Sequence, residues 1–192
     1  MKKSAVYNKK GFTLVELIVT FAMIGIFITS ATVLIGSAIR IHSRVTNLTK
    51  AQTVADTIME TIIGETAGAL NAPVPENAEG TACLIEKGSG DKDRLYYTDK
   101  NGNPVTLYVD AADGSAGLLK LQYTGLSEAD WYYGAETYMN NYISKLQFEQ
   151  LEGENLIRVT LGLRNKSTGY EFEMSRIVEC YNLTGEVIQS VP

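Results

Sequence analysis

The stretch KKGFTLVELIVTFAMIGIFITSA, residues 9–31, decides how the rest of this chain folds. It joins a lysine pair to a long apolar run, which continues to Ile39 with no charged residue after Glu16. An α-helix rises about 1.5 Å per residue, so the segment from Leu17 to Ile39 spans about 35 Å, enough to cross the hydrocarbon core of a bilayer. A carboxylate is costly inside lipid, and Glu16 therefore indicates a functional role.

A cleaved secretory signal peptide is the main alternative for this segment. Its apolar region would be shorter, roughly 7–15 residues, and would end at small residues. The run here is longer, and lysines at positions 2, 3, 9 and 10 precede it. Basic residues on one flank favour keeping that flank in the cytoplasm. We therefore expect a single-pass membrane protein with a cytoplasmic N-terminus.

An amphipathic pattern follows the apolar run. Apolar residues recur at spacings of three and four from Ile41 to Ile62, with polar and charged residues between them. This spacing predicts one helix from about Phe12 to Ile63, near 78 Å long. We divide it into a transmembrane half, residues 12–39, and an amphipathic half, residues 40–65.

Residues 66–192 have the pattern of a β-rich globular domain. After a loop at residues 71–80, short strand-like runs include ACLIEK, RLYYT, VTLYVD, GLLKLQYT, ISKLQFEQL, LIRVTLGLRN and YEFEMSRIVECYNL. The short links containing Gly or Asn favour antiparallel hairpins. We predict an α+β fold in which a C-terminal antiparallel sheet packs its apolar face against the stripe from Ile41 to Ile62.

Composition and motifs narrow the range of functions. Without its first eleven residues the chain keeps 13 basic and 22 acidic residues, a net charge near −9 that repels a nucleic acid backbone. The sequence contains no P-loop, G-x-S-x-G, HExxH or paired CxxC pattern, and His42 is its only histidine. We expect neither an enzyme nor a direct nucleic acid binder, and no cofactor or metal.

Two weaker patterns each have two explanations. Asp99, Asn101 and Asn103 alternate as at the start of a calcium loop, but Pro104 stands where that loop needs glycine, and a hairpin turn explains the same residues. The aromatic residues within 131–142 could form an adhesive patch or cap a small core.

The two cysteines, Cys83 and Cys180, are far apart and lack the spacing of metal ligands. If the domain lies outside the cytoplasm, they could form one disulfide, stabilising the fold by about 4 kcal/mol in the chain-entropy model. The alternative is a pair of buried free thiols.

The stretch KKGFTLVELIVTFAMIGIF, residues 9–27, resembles the prepilin-type cleavage and methylation segment of type IV pilins and pseudopilins. The resemblance implies that a dedicated membrane peptidase removes residues 1–11 as a leader, cutting between Gly11 and Phe12 and methylating the new amine of Phe12. It also implies a pilin-like fold, with a long N-terminal helix packed on a C-terminal sheet. Gly25 matches a glycine common in the family, whereas the proline that many members carry near Val33 is absent.

Glu16 falls on the family's glutamate, the fifth residue of the mature chain. After cleavage, the Phe12 amine and Glu16 lie one helical turn apart and can pair within the chain. The resemblance implies a second pairing, between Glu16 and the Phe12 amine of a neighbouring subunit, which would set the register of assembly.

The resemblance thus implies a structural subunit (major, minor or pseudopilin) of a type IV pilus-like or type II secretion-like filament, at the cell surface or in the envelope. Its implied partners are other subunits, the prepilin peptidase, a membrane assembly platform and, before assembly, membrane lipid. The alternative is a membrane-anchored extracellular binding module that does not polymerise.

Overall fold

The computed structural model describes residues 11–70, 83–110, 117–123, 129–151, 155–183 and 188–191. The chain divides into two compact units, Met1–Val45 and Thr46–Pro192. One helix, α1 (Leu14–Ala67), begins in the first unit and ends in the second. It starts and ends within a few residues of the predicted limits, Phe12 and Ile63.

In the first unit α1 is apolar on every side between Leu17 and Ile39. Its large side chains are exposed from Leu14 to Ile41. Among the described residues α1 is the one helix long and apolar enough to cross a membrane. A helix that is apolar all round is stable where lipid or other apolar partners surround it.

In the second unit α1 buries one face. The buried residues are Ala51, Val54, Ala55, Ile58, Met59, Ile62 and Thr66. Ile41, Val45 and Leu48, which belong to the same predicted stripe, are exposed. The stripe is therefore covered over its second part only.

The larger of the two sheets has six strands, five from the middle of the chain and one from its end. Its strands are β1 (Cys83–Glu86), β2 (Arg94–Thr98), β3 (Pro104–Asp110), β4 (Leu118–Tyr123), β5 (Ala129–Tyr132) and β9 (Ile188–Val191). They follow the order β5-β4-β3-β2-β1-β9, and we call this the large sheet. Its neighbouring strands are antiparallel except β9, which runs parallel to β1.

A second, antiparallel sheet of three strands, the small sheet, has the order β6-β7-β8. Its strands are β6 (Asn141–Gln150), β7 (Leu156–Asn165) and β8 (Glu171–Glu179), and a 3-10 helix (Ala135–Tyr138) precedes them. The register of β6 and β7 shifts between Ile143 and Lys145. Gly162 lies opposite this irregularity, where an added Cβ would come within 2.8 Å of the Lys145 Cβ. A glycine is therefore needed for the two strands to approach here.

Both sheets and the second part of α1 contribute to one core. It includes Ile58 and Met59 from α1, Leu107 from the large sheet, and Phe148 and Leu161 from the small sheet. Polar contacts join α1 to both sheets as well. Tyr97 of β2 donates a hydrogen bond to Glu65 (3.1 Å), and Arg176 of β8 forms a 2.9 Å ion pair with Asp56.

Asp93 joins the two sheets at the start of β2. Its side chain is 3% exposed and forms a 2.7 Å ion pair with Lys87. The same carboxylate accepts hydrogen bonds from the backbone N–H groups of Phe148 (3.0 Å) and Gly88 (3.4 Å). Lys87 also donates to the Phe148 carbonyl (2.8 Å). The loop between β1 and β2 is thereby held against β6.

The predicted α+β, pilin-like architecture is confirmed, with two differences from the expectation. The described part of the β-rich domain forms two sheets instead of one, and one of them has a parallel strand pair. Residues 129–132 form β5, a strand that is not among the predicted runs. The local sequence does not favour a strand here, and the backbone is extended because it pairs with β4.

Candidate processing and assembly site

The candidate site is the start of α1. Gly11 and Phe12 precede the helix, and Phe12 is 84% exposed. No atom of the described residues lies within 4 Å of the position that a Cβ on Gly11 would occupy. The bond between these two residues is therefore open to an external protein.

Thr13 and Glu16 close the first turn of α1 by binding each other. The Glu16 Oε2 accepts hydrogen bonds from the Thr13 backbone N–H (2.8 Å) and the Thr13 hydroxyl (2.9 Å). In return the Glu16 N–H donates to the Thr13 Oγ1 at 3.3 Å. This reciprocal pattern is a capping box, which satisfies N–H groups that the first turn of a helix leaves without partners. The carboxylate thus has a local role in starting the helix.

The sequence signal for this cap is the spacing Thr-x-x-Glu before an apolar run, and our sequence analysis missed it. The two predicted partners of Glu16 are the Phe12 amine of its own chain and that of a neighbouring subunit. Thr13 is a third partner, and it needs neither cleavage nor a second subunit. Both hydrogen bonds from Thr13 use Oε2.

Hydroxyl groups within the apolar run are satisfied inside the helix. All five serine and threonine hydroxyls between Leu17 and Ile39 donate to a backbone carbonyl three or four residues earlier, at 2.7–2.9 Å: those of Thr20, Thr29, Ser30, Thr32 and Ser37. Such bonds remove the need for water. The run therefore presents an apolar surface despite these five polar residues.

The other predicted residues lie away from this site. Cys180 has no exposed surface, and burial raises the pKa of its thiol to about 11. The side chain of Cys83 is outside the described part of the structure, so the disulfide stays a prediction. His42 is exposed.

Asp99, Asn101 and Asn103 form the turn between β2 and β3. One Asp99 carboxylate oxygen accepts from the backbone N–H groups of Asn101 (2.8 Å) and Asn103 (2.7 Å), and the other accepts from their side-chain amides. Burial alone would raise the pKa of Asp99, but these hydrogen bonds lower it below its ordinary value. Both oxygens thus face donors instead of a cation, which fits the hairpin explanation.

The aromatic residues of 131–142 divide between core and surface. Tyr138 is fully buried, and its hydroxyl accepts a 2.8 Å hydrogen bond from the Leu119 N–H. Tyr133 lies against Trp131 in an edge-on contact, with 4.8 Å between ring centroids, and bonds to the Thr61 hydroxyl at 2.8 Å. Trp131 and Tyr132 are 41% and 53% exposed.

Comparison with protein families gives one match, to the prokaryotic N-terminal methylation motif, over residues 7–32. No curated protein and no solved structure matches the chain. The matched segment contains the Gly11–Phe12 bond, the Thr13–Glu16 cap and most of the apolar run.

The N-terminal segment is therefore a prepilin-type motif of the kind found in type IV pilin and pseudopilin precursors. Such a motif implies processing by a prepilin peptidase and assembly with other pilin subunits, and proteins of this family are structural instead of enzymatic. The apolar part of α1 is consistent with a single membrane anchor near the start of the chain.

Proposed function

We propose that this chain is a structural subunit of a type IV pilus-like or type II secretion-like filament. A prepilin peptidase removes residues 1–11 and methylates the Phe12 amine. Residues 12–39 anchor the protein in the membrane and later pack in the filament, while residues 66–192 stay outside the cytoplasm. The observation that carries this proposal is the methylation motif over residues 7–32, followed by a helix whose large apolar side chains are exposed from Leu14 to Ile28.

In this proposal the Glu16 carboxylate has different bonding partners before and after assembly. In the precursor it caps α1 through Thr13, which holds the carboxylate at the helix start before any amine exists at Phe12. Cleavage creates that amine one turn away on the same helix. In the filament the carboxylate binds the Phe12 amine of a neighbouring subunit, and the low dielectric makes this charge pair selective for one register.

The first experiment is N-terminal peptide mass spectrometry of the protein recovered from its own cells. We expect a mature chain that begins at methylated Phe12. A chain that still begins near Met1, in cells with an active prepilin peptidase, would contradict the proposal. The membrane-anchored binding module would then be the better account.

Two substitutions separate the capping role of Glu16 from its charge. Glu16→Gln keeps an oxygen that can accept from Thr13, since glutamine also serves in capping boxes, but removes the charge. Thr13→Val removes the hydroxyl of the cap and keeps the charge. If an intersubunit charge pair drives assembly, Glu16→Gln blocks entry into filaments and Thr13→Val does not.

The assay compares the sheared filament fraction with the membrane fraction for each variant, after mass spectrometry has shown normal cleavage. If Glu16 acts only as a helix cap, Glu16→Gln assembles normally and Thr13→Val is the defective variant. That reversed result would contradict the assembly role. If neither variant changes the filament fraction, the same role is contradicted.

A further inference from the structure

The solvent face of the large sheet carries a row of alternating charged and aromatic side chains, one from each of five neighbouring strands. In strand order they are Glu86, Arg94, Tyr108, Lys120 and Tyr132, so the alternation begins at Arg94, and we call the five residues the tyrosine row. Glu86 pairs with Arg94, Tyr108 with Lys120, and Lys120 with Tyr132. The pairing of Leu95 with Leu107 places Arg94 beside Tyr108.

Alternation along the strands puts the whole row on one face. On the three central strands the residues next to the row in sequence, such as Leu95, Leu107 and Leu121, are buried, so the row residues of these strands point away from the core. At the edge strand Trp131, next to Tyr132, is itself 41% exposed. Arg94 is exposed, and Tyr132 is 53% exposed. The two tyrosines lie two strands apart, a separation of about 9.5 Å from the ordinary strand spacing.

Each cation of the row contacts a ring and a carboxylate. The Arg94 guanidinium lies 5.6 Å from the Tyr108 ring centroid and 4.0 Å from the Glu86 carboxylate. The Lys120 ammonium lies 5.7 Å from the Tyr132 centroid and 2.6 Å from Asp110. Two cations therefore face two carboxylates, so the row together with Asp110 has charged groups for hydrogen bonding and no net charge.

A cleft opens at one end of the row. Its volume is about 470 Å³, and Glu86, Arg94, Tyr108 and Asp110 line it together with Lys92. This volume is within the range of small-molecule sites. Tyr108 thus belongs both to the cleft wall and to the row that leads across the sheet to Tyr132.

We propose that the cleft and the tyrosine row bind an extended, uncharged oligosaccharide. The two rings offer apolar surfaces for the C–H faces of sugar rings. The compensated charge pairs offer donors and acceptors for hydroxyl groups without selecting a charged ligand. Lys87 and Lys92 also line the cleft. Lys87, Arg94 and Lys120 are each paired with a carboxylate, so the site offers few cations to a nucleic acid or another polyanion. The inference goes beyond the proposed filament role and does not depend on it.

The test is calorimetric titration of the full chain with cellohexaose, in a detergent without a sugar headgroup that could compete. Maltohexaose, which coils, and hexagalacturonate, which is anionic, are titrated in parallel. We expect saturable binding of cellohexaose, and weaker binding of the other two by about tenfold. Absence of saturable cellohexaose binding, or equal or tighter binding of either comparison sugar, overturns the proposal.

Substitutions place the ligand on the row. Tyr132→Ala should weaken cellohexaose binding about three- to tenfold, whereas Tyr132→Phe should change it less than about twofold because the ring is kept. Tyr108→Ala should act as Tyr132→Ala does, with thermal unfolding as a check on folding because Tyr108 is partly buried. The matched control is Tyr181→Ala, at a tyrosine 72% exposed outside the row. Equal weakening in Tyr181→Ala and Tyr132→Ala would overturn the assignment.

Discussion

Replacing Asp93 by alanine should destabilise the globular domain by about 3 kcal/mol, and the structure shows where this energy arises. The Phe148 N–H loses its carboxylate acceptor inside the protein. An unsatisfied buried amide costs about 1–3 kcal/mol. The Lys87 side chain is 47% exposed and can regain water, so its lost pairing adds only about 1 kcal/mol.

The assay is thermal unfolding of the full chain in a fixed detergent, followed by the fluorescence of Trp131, the only tryptophan. At about 2–4 °C per kcal/mol for a protein of this size, we expect Tm to fall by about 6–12 °C. The matched control is Asp91→Ala, two residues away, where an exposed carboxylate accepts one hydrogen bond from Gln147 (2.9 Å). Asp91 has a φ of 60°, a left-handed conformation less favourable for alanine than for aspartate, so that variant should lose about 1 kcal/mol, well below the loss in Asp93→Ala.

An Asp93→Ala variant that unfolds at the same temperature as Asp91→Ala would refute the reasoning. The contacts that Asp93 makes between the sheets would then contribute no measurable stability. Asp93→Asn should fall between the two because its amide oxygen can still accept one of the backbone hydrogen bonds.

Three further predictions concern the core, the thiols and a turn. Ile58→Ala should destabilise the domain by about 2–5 kcal/mol because it leaves a cavity in the core. Ile41→Ala, at an exposed helix position, should change Tm by less than about 2 °C. Equal shifts of Tm in the two variants would contradict the observed burial. Cys180 should resist maleimide at pH 8 in the folded protein because burial raises its pKa to about 11, and it should react in guanidinium without reductant. The stability that comes from burying the neutral thiol is complete below the pKa of the unfolded state and is lost as pH rises through about 11. Failure to react in guanidinium until reductant is added would instead show a disulfide with Cys83. The hydrogen bonds to Asp99 lower its pKa in the folded state, so they should stabilise the protein above the ordinary pKa of 3.8, and this stability should be lost as pH falls through the folded pKa. The free energy of unfolding in urea should therefore decrease more steeply from pH 6 to pH 2 for the wild type than for Asp99→Asn. Parallel decreases in the two proteins would contradict this.

The long helix and its membrane half could be predicted because their signals are local. An apolar run of sufficient length and a 3.6-residue period are properties of contiguous residues, and Leu14–Ala67 is close to the predicted range. The capping box was equally local and readable, since Thr13 and Glu16 are three residues apart. Alternation also indicated the small sheet, whose strands follow one another through short turns.

Contacts between distant parts of the chain could be decided only by the tertiary structure. β9 pairs with β1 across about a hundred residues, and Asp93 binds the backbone of Phe148, 55 residues further along. Alternation assigns a side chain to a face but not to a neighbour, so the register that aligns Tyr108 with Lys120 and Tyr132 cannot be derived from any one strand. The sequence by itself determined the helix, the motif at its start and the β-rich character of the remainder. The division into two sheets and the surface row depend on which strands pair, a choice made by the burial of the whole core.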